Sequence, residues 1–181
     1  EEAVFSALGL PFIPPELRED LGEFEWARQG RLPNLIETRH VKGTLHAHTT
    51  ASDGTATLSQ MALAAKDLNL SWLGLTDHSR SAHYAHGLSV ERLQAQWEEI
   101  DDFNRRNSPF RLFKGIESDI LPDGSLDYPP EILEQFDFVI ASVHTNFSMS
   151  RREMTDRIVR AIQNPFTDIL GHPTGRLLLE R

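Results

Sequence analysis

Residues 41–78 read VKGTLHAHTTASDGTATLSQMALAAKDLNLSWLGLTDH, and their order decides the fold class. Val41 to His46 predicts a short strand. Thr57-Leu58-Ser59-Gln60 is a helix start: the threonine hydroxyl can accept from the backbone three residues on, while the glutamine reaches back. The helix is expected to run through Asn69, and Ser71 to Thr76 predicts the next strand. A strand, a crossover helix and a second strand make one parallel unit with a right-handed connection.

The alternation continues downstream. Ser89 caps a longer helix in which Leu93, Trp97, Ile100 and Phe103 keep helical spacing. Phe110 to Glu117 predicts a third strand, followed by a hairpin turn at Asp123-Gly124. Phe136 to Val143 is nearly all apolar, as a strand buried on both faces requires. Ser150-Arg151-Arg152-Glu153 opens another helix, with Met154, Ile158 and Ile162 on one side. Thr167 to Gly171 begins a fifth strand. The expected class is α/β, with a parallel sheet or barrel. Residues 1–40 read differently. Val4, Phe5 and Leu8 suit a short amphipathic helix stopped at Gly9, Pro11, Pro14 and Pro15 follow, and Glu23 to Arg28 can form another turn or two. This is the pattern of a structured linker from something upstream, leaving 41–181 as the main domain.

Composition bounds the function. The chain has 181 residues, 39% hydrophobic and 25% charged, with no cysteine. Thiolate chemistry and disulfides are therefore excluded. No apolar run approaches the roughly 18 residues that a membrane span needs. With no secretory pattern at the N-terminus, a cytoplasmic location is the expectation. A formal net charge of −9 means that an acidic polymer cannot be gripped by long-range field. Any phosphate must be held locally, by metal ions or a small basic patch.

Each predicted strand ends in a metal-type ligand. The ends are Leu45-His46-Ala47-His48, Leu75-Thr76-Asp77-His78, Gly115-Ile116-Glu117, Ser142-Val143-His144 and Leu170-Gly171-His172. In parallel α/β architectures, function collects at these C-terminal ends. One histidine at a strand end is ordinarily a hydrogen-bonded residue, but His46 and His48, two apart on a strand, point the same way and can converge. Five successive ends make a polynuclear metal site. Imidazoles mixed with carboxylates suit zinc, manganese or iron better than magnesium or calcium. Asp53 reads either as a turn residue before Gly54 or as a carboxylate over the same end of the sheet. Asp77 points to the opposite face and suits orientation or plain structure. His83 and His86 read as solvated loop residues, and Asp119, Asp123 and Asp127 as turn residues. Arg151, Arg152, Arg157 and Arg160 read as a solvated helix face.

With these residues placed, the chain resembles a PHP-type (polymerase and histidinol phosphatase) domain, and closely the one in bacterial family X DNA polymerases. The matching segments are residues 43–54, Leu75-Thr76-Asp77-His78-Ser79, residues 115–121, Ala141-Ser142-Val143-His144 and residues 170–176. Leu10-Pro11-Phe12-Ile13-Pro14-Pro15-Glu16-Leu17-Arg18 is similar to the connector that follows a polymerase region. The resemblance implies a distorted (β/α)7, TIM-like barrel holding up to three divalent ions, with zinc or manganese foremost and iron possible. His46, His48 and Glu117 would hold one ion; Asp53 and His78 a second; Glu117, His144 and His172 a third. Glu117 and His144 are the candidate catalytic residues. The family adds ligands from a late Asp-x-His motif. None follows His172, so the first two sites and the barrel are expected to be incomplete in this chain.

Adjacent divalent ions can orient and acidify water and neutralise phosphodiester oxygens. The resemblance implies a 3′-5′ exonuclease acting on DNA 3′ ends or single strands, attached to a polymerase involved in DNA repair. A small-molecule phosphatase of the histidinol-phosphate kind is the alternative within the enzymes. A non-catalytic scaffold attached to a polymerase is the alternative outside them. Every ligand position that the chain reaches is filled, which favours an enzyme.

Overall fold

The computed structural model describes residues 1–174; Gly175 and Arg176, the end of the last matching segment, lie outside the described residues. The chain divides into two compact units, residues 1–40 and the residues from Val41 onward. The first unit holds two six-residue helices, α1 (Glu2–Ala7) and α2 (Glu23–Arg28). It is organised around Arg18, which donates to the Ile13 carbonyl at 2.9–3.0 Å and pairs with Glu1 at 2.8 Å. The Arg18 guanidinium also lies over the Phe5 and Phe12 rings, 5.2 and 5.8 Å from their centroids.

The second unit is built on five strands: β1 (Gly43–Ala47), β2 (Trp72–Leu75), β3 (Arg111–Asp119), β4 (Phe138–Ser142) and β5 (Ile169–Leu170). All neighbours are parallel and the order is β1-β2-β3-β4-β5. A doubly wound sheet would reverse its order partway; sequential order belongs to a sheet that curls toward a barrel. The register shows the same curl. β2 pairs the first half of β3, from Arg111 to Lys114, whereas β4 pairs the second half, from Gly115 to Asp119. That stagger tilts the strands, as barrel closure requires. The result is a curled half-barrel.

The connections follow from local chemistry. α3 (Leu58–Asp67) starts with both bonds of the Thr57/Gln60 capping box, and α6 (Arg151–Gln163) with both bonds of the Ser150/Glu153 box. Ser89 accepts from Arg92 N at the start of α4 (Val90–Asn107). The turn at Gly124 closes with Gly124 N to Leu121 O and Leu121 N to Ser125 O, both 2.8 Å. One short helix, α5 (Pro130–Leu133), has no signal beyond its two prolines.

Leu58, Ala62 and Ala65 of α3 and Ile100 of α4 pack on Leu73, Leu75 and Leu112 of the sheet. A second cluster joins Leu93 and Trp97 of α4 to Ile116, Val139, Ala141 and Ala161. Successive side chains alternate faces along a strand. With Leu112 and Ile116 turned to the helices, Glu117 lies on the other face of β3.

Arg151, Arg152 and Arg160 form the solvated face expected for α6, but Arg157 does not belong to it. Ile162 is exposed and Arg157 is buried, at 1% exposure. Arg157 donates to the carbonyls of Ile120, Leu121 and Thr145. Loop carbonyls without a strand partner need donors, and one guanidinium supplies three.

Candidate metal centre

Each expected ligand sits at the C-terminal ends of the strands. In β1 the pairing slips between Thr44 and Ala47, so β1 carries one residue more than β2 across that step. His46 occupies the bulge with φ 64°, a left-handed conformation costly for a non-glycine residue. Bulges re-aim side chains. Here the His46 and His48 rings lie nearly parallel, 5.5 Å apart. His172, just past β5, also has a positive φ of 26°. Gly171 before it admits no side chain, because a Cβ would come 2.1 Å from Ser142 Oγ.

The centre is organised by Glu117, whose side chain is almost fully buried. Five imidazoles crowd its carboxylate. His46 Nε2 lies at 2.9 Å, His172 Nε2 at 2.8 Å and His144 Nε2 at 3.2 Å from Oε1. His78 Nδ1 lies at 3.2 Å and His48 Nε2 at 3.4 Å from Oε2. Asp53 closes the open side, 3.1 Å from His48 Nδ1 and 3.4 Å from His78 Nε2. By proximity of ligand atoms the groups are His46, Glu117 and His172; His48, Asp53 and His78; and His78, Glu117 and His144. His172 thus falls with His46, and His78 belongs to two groups. The family's partition has neither feature.

Hydrogen bonds alone do not account for this arrangement. His48 Nδ1 and His78 Nδ1 are buried and, although 3.1 and 3.2 Å from carboxylate oxygens, are not aligned for a hydrogen bond, whereas buried polar atoms are nearly always paired. His144 Nε2 and His172 Nε2 face each other at 3.3 Å. One carboxylate offers about four lone-pair positions, too few for five imidazoles. Divalent cations accept nitrogen and carboxylate ligands together, so the donor set fits metal ions.

The neighbouring carboxylates have separate tasks. Asp77, fully buried, accepts from Thr49 N and Oγ1 (both 2.8 Å), Ser52 Oγ (2.5 Å) and Gln96 Nε2 (2.6 Å). It pins the loop that presents Asp53. Gly54 finishes that loop, where a Cβ would meet the His48 carbonyl oxygen at 2.5 Å. Asp119 and Asp127 are not turn residues. Asp119 Oδ1 lies 2.6 Å from His144 Nδ1, and its Oδ2 accepts from Ser81 Oγ at 3.0 Å. Asp127 accepts from Ser81 N at 2.7 Å and faces Arg80. Only Asp123 caps the turn, through Ser125. The Asp119 role was open to the rule that paired His46 with His48, since Asp119 is two residues beyond Glu117 on one strand. His83 and His86 are exposed. Tyr84 between them has no comparable sequence signal, yet its ring lies 5.9 Å from that of His78 and 6.3 Å from that of His144.

The electrostatics follow from burial opposed by pairing. Burial alone would raise the Glu117 carboxyl, but His144, through its hydrogen bond and its charge, and the charge of His46 hold it far below its ordinary range. Burial would lower His144, yet Asp119 and Glu117 override it and raise the imidazole to about 9. His78 goes the other way, lowered chiefly by burial. Burial, then Asp119, Glu117 and Asp53, push the Tyr84 phenol up to about 12.

These shifts give a pH signature for the chelator-treated chain. A raised His144 stabilises fully below its ordinary 6.5 and stops doing so as pH rises through about 9. Above 6.5 His78 is neutral folded and unfolded, and Glu117 is ionised in both states. The loss between pH 6.5 and 9 therefore belongs to His144, on the order of 3 kcal/mol at about 1.4 kcal/mol per unit. Thermal unfolding in chelator is expected to fall by roughly 5–10 °C from pH 6.5 to 9.5, and His144→Ala to remove that slope.

Fold and site together define a parallel half-barrel α/β protein with an imidazole–carboxylate cluster, suited to metal ions, at its C-terminal face. Residues 44–175 match the PHP domain, and the chain belongs to the PHP family. Over its whole length it is 42% identical to the DNA polymerase/3′-5′ exonuclease PolX of Bacillus subtilis (strain 168), of which it spans 31%. It is 33% identical over 134 residues to a probable phosphatase of Thermoanaerobacter sp. (strain X514), and 31% identical over 142 residues to one of Caldicellulosiruptor bescii. Those alignments take in 71% and 73% of this chain and 52% and 54% of the relatives. No helix among the described residues is long and apolar enough to cross a membrane.

Proposed function

We propose that the chain is the metal-dependent phosphoesterase part of a family X DNA polymerase, removing nucleotides from DNA 3′ ends. The observation that carries this is the convergence of five imidazoles and Asp53 on and around the buried Glu117. His46, Glu117 and His172 would hold one ion, His48, Asp53 and His78 another, and His78, Glu117 and His144 a third. Zinc or manganese suits this donor set, with iron a further candidate. Such ions, when bound, supply Lewis acidity toward phosphoryl oxygens and acidify water.

The chain's own residues prepare the centre. Glu117 brings a permanent negative charge and holds five rings in place. With an ion bound, Asp119 would keep the His144 proton on Nδ1 and leave the Nε2 lone pair to the ion. Asp77 and Gly54 hold the Asp53 loop over it. The five strands are then part of a distorted (β/α)7 barrel. Residues 1–40 are read as a connector, because the PolX match includes them while the phosphatase matches take in only about seven-tenths of the chain.

The test is release of nucleotides from a 3′-labelled single-stranded oligonucleotide by the chain supplied with manganese or zinc. Hydrolysis that chelator abolishes and metal restores is the expected result; hydrolysis that persists in chelator refutes the metal reading. The phosphatase relatives support a second substrate class, read by glycerol phosphate in the same assay. Hydrolysis of glycerol phosphate with none of the oligonucleotide would favour it. Asp119→Asn is expected to reduce turnover or metal affinity roughly 10–100-fold. Its folded signal should remain intact, checked by circular dichroism beside a metal titration.

A further inference from the structure

The loop after β2 presents one aromatic ring to the candidate centre. In residues 79–88 the loop is fixed by Ala82 N to Ser79 O (3.0 Å), Gly87 N to Ala82 O (3.1 Å) and Leu88 N to His78 O (2.8 Å). Gly87 packs so closely that a Cβ would lie 1.8 Å from the Ser79 carbonyl oxygen. Ser79, Ala82, Ala85 and Leu88 are all buried, and Ser81 is tied to Asp119 and Asp127. From this rigid loop Tyr84 projects at 62% exposure, its ring steeply inclined to the His78 and His144 rings at 64° and 72°. Among the described residues from 41 on, Tyr84 and Phe147 are the two aromatic residues that are exposed. Both lie on loops leaving the C-terminal ends of strands; Tyr84 is the one whose ring meets the imidazoles.

We infer that Tyr84 is the stacking platform for the terminal base of a single-stranded 3′ end whose phosphate lies at the imidazole centre. The inference rests on the phosphoesterase reading above and deepens it, because it names what holds the nucleoside. Three observations favour a base as the occupant. A net charge of −9 denies the chain long-range attraction for a polyanion, so affinity must come from short-range contacts. The cations near the loop are already engaged: Arg80 faces Asp127 and the Tyr128 ring, and Arg92 donates to the carbonyls of Ala51, His86 and Gly87. An exposed ring on a rigid loop pays little ordering entropy when a base stacks on it. Such stacking contributes about 1–3 kcal/mol per base and tolerates any sequence.

The test uses the 181-residue chain and a single-stranded oligonucleotide carrying 2-aminopurine at its 3′ end. Binding is read as fluorescence quenching without added metal, and hydrolysis is read with manganese. Tyr84→Ala is expected to lose the quenching, to weaken binding roughly 5–100-fold, and to raise KM more than it lowers kcat. Tyr84→Phe and Tyr84→Trp are expected to restore both. An oligonucleotide ending in an abasic residue is expected to bind wild type and Tyr84→Ala equally. The inference is overturned if Tyr84→Ala quenches like wild type, if it weakens the abasic and normal ends alike, or if Tyr84→Phe is as weak as Tyr84→Ala. Hydrolysis with quenching that is independent of Tyr84 defeats this inference and leaves the phosphoesterase reading intact. Tyr84-dependent quenching without hydrolysis does the reverse.

Discussion

Glu117→Gln is expected to lower metal-dependent hydrolysis by well over about 100-fold, beyond the 10–100-fold typical of losing a residue that merely supports a ligand. The substitution keeps size and removes charge. Glu117 lies within 3.4 Å of five imidazoles through its two oxygens, and two of the three ligand groups include it. A neutral amide can offer one oxygen only, and its NH2 group points donors at nitrogen lone pairs. Elemental analysis of the purified variant should show fewer bound ions per chain than wild type, with the far-ultraviolet circular dichroism unchanged. Wild-type metal content and wild-type hydrolysis in Glu117→Gln would show that the carboxylate is not the hub of the centre.

Arg157→Ala should destabilise the main unit by roughly 3–5 kcal/mol, as breaking other buried charged networks does. The side chain is 1% exposed and all its carbonyl partners come from two other segments, Ile120 and Leu121 after β3 and Thr145 after β4. Truncation leaves the Ile120 and Thr145 carbonyls without a donor, each costing about 1–3 kcal/mol unless water enters, while Leu121 O keeps only Gly124 N. The expected fall in melting temperature is roughly 10 °C. Arg157→Lys, which keeps the charge but not the planar fork, should recover part of it. Because Thr145 follows His144 directly, metal affinity should fall along with stability. A melting temperature within a degree of wild type would mean that the loops find other donors.

Much of the fold was legible because its signals are local. The Thr57/Gln60 and Ser150/Glu153 boxes act across three residues, and both form as their residue types predict. The apolar run around Val139, Ile140 and Ala141 announces a strand covered on both faces, and it is buried. Where a signal was local but shared, reading it alone misled. The arginines of α6 look alike in sequence, yet Arg157 is buried while Arg151, Arg152 and Arg160 are exposed. Which one turns inward depends on carbonyls about 36 residues away.

What the sequence by itself determined is the alternation of strand and helix, the capped helix starts, and the placement of a histidine or glutamate at each strand end. These depend on periodicities of two and 3.6 residues and on bonds that close within one turn. Only the tertiary structure decided that the five strands lie in chain order and curl, that His46 sits in a bulge, and that all five imidazoles meet one carboxylate. It also assigned Asp119 to His144 and Asp77 to the Asp53 loop. The partners in these contacts are 25 to 71 positions apart in the chain. Their meeting is set by strand register and stagger, which burial and backbone pairing fix for the whole sheet at once.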